Sequence, residues 1–125
     1  MKVLQQHVLI VDDDQTIRMV LMQILNRAGY RTTEAINGLE ALQKLRTCSF
    51  DLITMDMAMA EMDGVDTISI LRNEITVPIV VISAHLSKQV KRELDACGIT
   101  HFLAKPFSAQ QVTGMVEKAL QDASH

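Results

Sequence analysis

The stretch HVLIVDDDQTIRMVLMQILNRAG, residues 7–29, decides the fold. Its first run, HVLIV (7–11), is apolar on consecutive residues from Val8 to Val11 rather than on alternate ones. A strand of that kind has both faces covered, as in a parallel sheet. Three acids, Asp12, Asp13 and Asp14, then interrupt the apolar chain. Beyond them Ile17, Val20, Leu21, Ile24 and Ala28 recur at helical spacing and define one apolar face. Gly29 stands where a left-handed cap would end that helix. The segment reads as strand, acidic turn, helix and stop, which is one β–α unit.

The unit recurs. YRTTEA (30–35), LITM (52–55), PIVVI (78–82) and HFLA (101–104) read as further strands. Leu39, Leu42 and Leu45 mark a second helix after the Asn37-Gly38 turn, and Val65, Ile68 and Leu71 mark a third. Leu86, Val90, Leu94 and Cys97 give a fourth, closed by Gly98. The last begins at Ser108, where Gln111 completes a capping box, and its stripe is Val112, Met115, Val116 and Ala119. Strict alternation with right-handed crossovers predicts an α/β fold, a doubly wound parallel sheet of five strands with helices on both faces.

The 125 residues fit one domain, 1–125, with 48% hydrophobic and 22% charged residues and a net charge of −3. No basic block or aromatic-studded patch points to direct nucleic-acid binding. No apolar run is long enough for a membrane span, and Met1-Lys2-Val3 does not open a signal peptide. Cys48 and Cys97 form no CxxC pair and are expected as free thiols in a reducing cytoplasm.

In a doubly wound sheet, ligands bind beyond the carboxyl ends of the strands. Those ends carry Asp12–Asp14, Asp56, the Ser83–His85 segment and Lys105. LITMDMAMAEMDG (52–64) puts Asp56 at the end of a core strand, a costly place for an unpaired carboxylate. Asp12, Asp13 and Asp56 are expected to converge with Ser83 and Lys105. Three carboxylates so close need a cation, and all-oxygen donors suit Mg²⁺, with Mn²⁺ able to replace it. Asp14 reads as a helix cap, and Asp63 before Gly64 as a turn residue or helix start. The set points to phosphoryl transfer. Asp56 is the nucleophile, and Ser83 and Lys105 hold the phosphoryl oxygens. Lys105-Pro106 is an X-Pro bond, for which the cis form is accessible. Met57, Met59 and Met62 read as adaptable packing.

VLIVDDD, LITMDMAMAEMDG, VVISA and FLAKPF, in this order and spacing, resemble the motifs of two-component response regulator receiver domains, chemotaxis-regulator-like ones among them. The resemblance spans essentially the whole chain. It implies a flavodoxin-like (βα)5 fold with strand order 2-1-3-4-5. It also implies Mg²⁺ bound by Asp12, Asp13, Asp56 and the Ala58 carbonyl, with Asp56 as phosphoacceptor. Ser83 and Lys105 would be the phosphate partners, and Ser83 and Phe102 the switch residues. Such a domain is a phosphoacceptor signalling module that catalyses its own phosphorylation and dephosphorylation. Its phosphoryl group comes from a histidine kinase or phosphotransfer protein. Its output goes to a downstream protein through the fourth helix, fifth strand and last helix, where Lys88, Lys91 and Arg92 lie off the apolar stripe.

Three positions depart from the family pattern. Ala60 replaces a common proline, Phe102 replaces a common tyrosine, and His85 reads either as bordering the expected phosphoryl position or as a solvated loop histidine. Two other functions compete. DDDQT (12–16) also fits the Asp-x-Asp-x-Thr motif of haloacid-dehalogenase-like phosphatases, with Asp12 attacking and Asp14 as general acid. That reading leaves Asp56 unexplained. A binding module that never takes phosphate would not need the five-residue site.

Overall fold

A computed structural model describes residues 5–57 and 76–124. The chain runs β1 (His7–Val11), α1 (Gln15–Arg27), β2 (Arg31–Ala35), α2 (Gly38–Thr47), β3 (Leu52–Met55), β4 (Ile79–Ser83), α3 (Lys88–Ala96), β5 (His101–Ala104) and α4 (Ala109–Ala123). All strand pairs are parallel, in the order β2-β1-β3-β4-β5. The expected helix at Val65, Ile68 and Leu71 lies outside the described residues, as do Ala58, Met59, Ala60, Met62, Asp63 and Gly64.

Period-two alternation sorts the strand residues onto two faces. Leu9, Val11, Ile53, Met55, Ile79 and Val81 point to one face, where Ala41 and Leu42 of α2 and Leu94 of α3 cover them. Val8, Ile10, Leu52, Val80 and Ile82 point to the other, under Leu21 and Leu25 of α1 and Val112, Val116 and Ala119 of α4. Every residue of β1, β3 and β4 is buried, which is why their sequences read as unbroken apolar runs. His7 is buried as well. Its ring bridges the Ser49 carbonyl and the Thr33 hydroxyl, at 3.2 and 2.7 Å.

The helix ends follow local chemistry. Asp14, Asn37, Ser87 and Ser108 each cap a helix by accepting a bond from a backbone N–H. Ser108 and Gln111 form the expected capping box. Gly29 and Gly98 have φ of 98° and 81°, so the chain turns out of α1 and α3 through the left-handed region.

Four expectations need correction. β4 ends on Ser83 rather than Ile82 and excludes Pro78. The buried face of α1 is Arg18, Leu21 and Leu25. Val20 is exposed and Ala28 is the cap, because pairing admits Arg18 to the face where an apolar residue was sought. Leu39 of α2 is exposed, since Ala41 and Leu42 face the sheet. Leu86 packs on the core from before α3, which starts after Ser87.

A Cβ at Gly29 or at Gly114, inside α4, would meet nothing within 4 Å, so backbone conformation alone separates the two. Gly29→Ala should destabilise the fold by roughly 1–2 kcal/mol because of its φ. Gly114→Ala should stabilise it by roughly 0.5–1 kcal/mol. Urea unfolding midpoints moving in opposite directions are the expected result.

Candidate functional site

Parallel pairing brings the carboxyl ends of β1, β3 and β4 to one rim. Asp12 follows β1 and Asp56 follows β3, tied by the Asp56 N–H donating to the Val11 carbonyl at 3.1 Å. Lys105 follows β5, and its N–H donates to the Ser83 carbonyl at 3.0 Å. The Lys105-Pro106 peptide is cis. Lys105 Nζ donates to Asp12 Oδ2 at 2.9 Å and to Asp56 Oδ2 at 3.0 Å. Asp12 and Asp56 are 2% and 6% exposed, whereas Asp13 lies open to solvent. Carboxylate oxygens of Asp12, Asp13 and Asp56 lie within 4.8 Å of one another.

Among the described residues, three carboxylates and the Lys105 ammonium gather at this rim. Burial pushes the Asp12 carboxyl above its ordinary range, against the pull of Lys105 and of the Asp14 N–H that bonds it at 2.9 Å. Burial also opposes the Lys105 charge, but its bonds to Asp12 and Asp56 outweigh this and hold the ammonium above its ordinary value. Among the described residues, Lys105 is bonded to both buried acids. The hard, oxygen-only donor set of Asp12, Asp13 and Asp56 fits a divalent ion such as Mg²⁺.

The other expected residues fall as follows. Ser83 is fully buried, and its Oγ accepts from the His85 N–H at 3.2 Å. His85 itself is exposed. Asp14 Oδ1 accepts from the Thr16 and Ile17 N–H groups at 2.9 and 3.3 Å. That carboxylate is occupied as a cap, so the phosphatase reading loses its general acid. Phe102 is half-buried and packs on the same side of the sheet as Val81. Ala58 lies outside the described residues. Sequence reasoning missed Arg18, whose guanidinium donates to the Asp12 carbonyl at 2.7 Å. A charged residue on an apolar face was the available signal.

The sequence profile of the response regulator receiver domain matches residues 8–117. The chain is 37% identical over 115 residues to chemotaxis protein CheY of Thermotoga maritima, covering 90% of this chain and 96% of that protein. It is 36% identical over 121 residues to sporulation initiation phosphotransferase F of Bacillus subtilis, covering 94% and 95%. It spans only 47% of the probable transcriptional regulator ycf27 of Cyanidium caldarium, at 36% identity over 94% of this chain. The structure of chemotaxis protein CheY4 of Vibrio cholerae superposes with a TM-score of 0.89 at 31% identity, covering 93% of this chain and 99% of that one. The chain belongs to the response regulator receiver domain family of two-component and phosphorelay signalling. Among the described residues, no helix is long and apolar enough to cross a membrane.

Asp13 lies open beside Asp12 and Asp56 whereas Asp14 caps α1, so their variants should separate. Asp13→Asn is expected to abolish Mg²⁺ binding in calorimetric titration while sparing the fold. Asp14→Ala is expected to keep Mg²⁺ binding and lower stability by about 1 kcal/mol through the lost cap. Equal loss of Mg²⁺ binding in both would overturn the division.

Proposed function

We propose that Asp56 accepts a phosphoryl group, with Mg²⁺ required, from a histidine kinase or phosphotransfer protein in the cytoplasm. The product switches a protein-interaction surface. The observation that carries this reading is the Lys105 ammonium bound to both Asp12 and Asp56, with Asp13 beside them. An Asp56 oxygen attacks phosphorus, the phosphorus–nitrogen bond to the donor imidazole breaks, and the electron pair leaves with the imidazole. An aspartyl phosphate results.

Asp12, Asp13 and Asp56 would hold the ion, together with the Ala58 carbonyl. Bound there, a divalent cation supplies positive charge that lets an anionic phosphoryl group approach a carboxylate. Lys105 exchanges a carboxylate contact for a phosphoryl oxygen. The Ser83 hydroxyl donates to another oxygen as charge develops there. The single experiment is acetyl phosphate with Mg²⁺, followed by mass-spectrometric mapping of the adduct. Label on Asp56, lost in Asp56→Asn, is expected. Label on Asp12 or Asp13 with Asp56 unmodified would overturn the assignment.

The output surface is α3, β5 and α4. Ser83 and Phe102 lie on the same side of the sheet, because Ser83 pairs with Ala104 and Val81 with Phe102. A Ser83 hydroxyl drawn towards phosphate opens space into which the Phe102 ring turns. Beside that ring lies a concavity of about 410 Å³ lined by Lys91, Arg92, Asp95, Thr100 and Phe102. The modification shifts the equilibrium only by its differential interaction with the two states. NMR mapping with and without beryllofluoride, a stand-in for the phosphoryl group, should show shifts across residues 86–120. Shifts confined to α1 and α2 would sink this part of the reading.

A further inference from the structure

Arg18 is a basic residue inside an apolar helix face, 7% exposed. A buried guanidinium is costly unless it is both paired and hydrogen-bonded, and Arg18 is both. Its Nε meets Glu34 Oε1 of β2 at 2.7 Å, and its Nη1 donates to the Asp12 carbonyl at 2.7 Å. Glu34 is tied onward, since the Lys44 ammonium of α2 donates to the Glu34 backbone carbonyl. Lys44 in turn pairs with Glu40 at 3.4 Å. The Asp12 carbonyl is thus the end of a chain of polar contacts anchored in α1, β2 and α2.

That carbonyl belongs to the peptide joining Asp12 to Asp13. The peptide is planar, so fixing its oxygen fixes where the Asp13 Cα begins. Asp12 is already held on its other side. Its N–H donates to the Ala35 carbonyl at 3.2 Å, and its carboxylate accepts from the Asp14 N–H and Lys105. Asp13 is exposed. Arg18 is the side chain that holds the Asp12 carbonyl.

We infer that Arg18 is a positioning residue that holds the Asp12–Asp13 peptide in the geometry a Mg²⁺ ion demands, with Glu34 cancelling the guanidinium charge. This rests on the reading of Asp12, Asp13 and Asp56 as a cation site. Two effects of removing Arg18 oppose one another. Loss of a nearby positive charge favours cation binding, whereas loss of the clamp frees the peptide. Mg²⁺ needs a near-octahedral set of short bonds, and Ca²⁺ accepts looser ones. A freed peptide therefore penalises Mg²⁺ more than Ca²⁺, whereas a charge effect or a general loss of stability moves both alike.

The test is calorimetric titration of the full chain with MgCl₂ and, separately, CaCl₂, for wild type, Arg18→Met, Arg18→Lys and Glu34→Gln. Failure of the wild type to bind Mg²⁺ would overturn the cation site itself. Given wild-type binding, both Arg18 variants should lose roughly tenfold in Mg²⁺ affinity, the loss expected when a partner of a metal ligand is removed. Their loss for Ca²⁺ should be smaller. Mg²⁺ affinity unchanged or tighter in folded Arg18→Met, or equal losses for both ions, would overturn the inference. Should the Arg18 variants not fold, Glu34→Gln decides: it removes the charge from the Arg18–Glu34 contact, which loosens the guanidinium, and should lower the Mg²⁺-to-Ca²⁺ preference, and an unchanged preference would overturn the inference.

Discussion

The Lys105 ammonium between Asp12 and Asp56 joins residues 93 and 49 positions apart in the chain. The contact exists only when β1, β3 and β5 end on the same rim, so it depends on the whole sheet. In return it makes the rim tolerable. Two buried carboxylates without a partner would carry a desolvation cost that a small domain cannot absorb. Lys105 offsets part of that cost and lets the two acids stay buried.

The scaffold beneath the rim is arranged to hold that contact. β1 is buried along its whole length and flanked by β2 and β3, so Asp12 starts from backbone with little freedom. α1 is capped by Asp14 and carries Arg18 back to the Asp12 carbonyl, so the same helix that covers the sheet also steadies the acidic turn. The opposite side of the sheet carries Phe102 and α3. A change at Ser83 meets a packed layer there, and packed layers respond by discrete rearrangement rather than continuous yielding.

Much of this was legible before any coordinates. The strands at 7–11, 52–55 and 101–104, the cap at Ser108 and the stops at Gly29 and Gly98 are written in local chemistry. The misreadings of the helix faces share one cause. Val20 and Leu39 were placed inside because they are apolar, and Arg18 was not singled out. Burial on one helix face is settled by what lies opposite. For Arg18 that is a glutamate from β2 and a carbonyl from the end of β1.

The sequence by itself determined the alternation of strand and helix, the parallel sheet, and which residue types stand at the strand ends. Each of these follows from spacing and residue chemistry within a few turns of chain. Only the tertiary structure decided that Lys105 spans Asp12 and Asp56, and that Arg18 of α1 pairs with Glu34 of β2. Those are choices among partners far apart in sequence. A partner is chosen by distance and desolvation in the folded chain, and neither quantity exists before the sheet has closed.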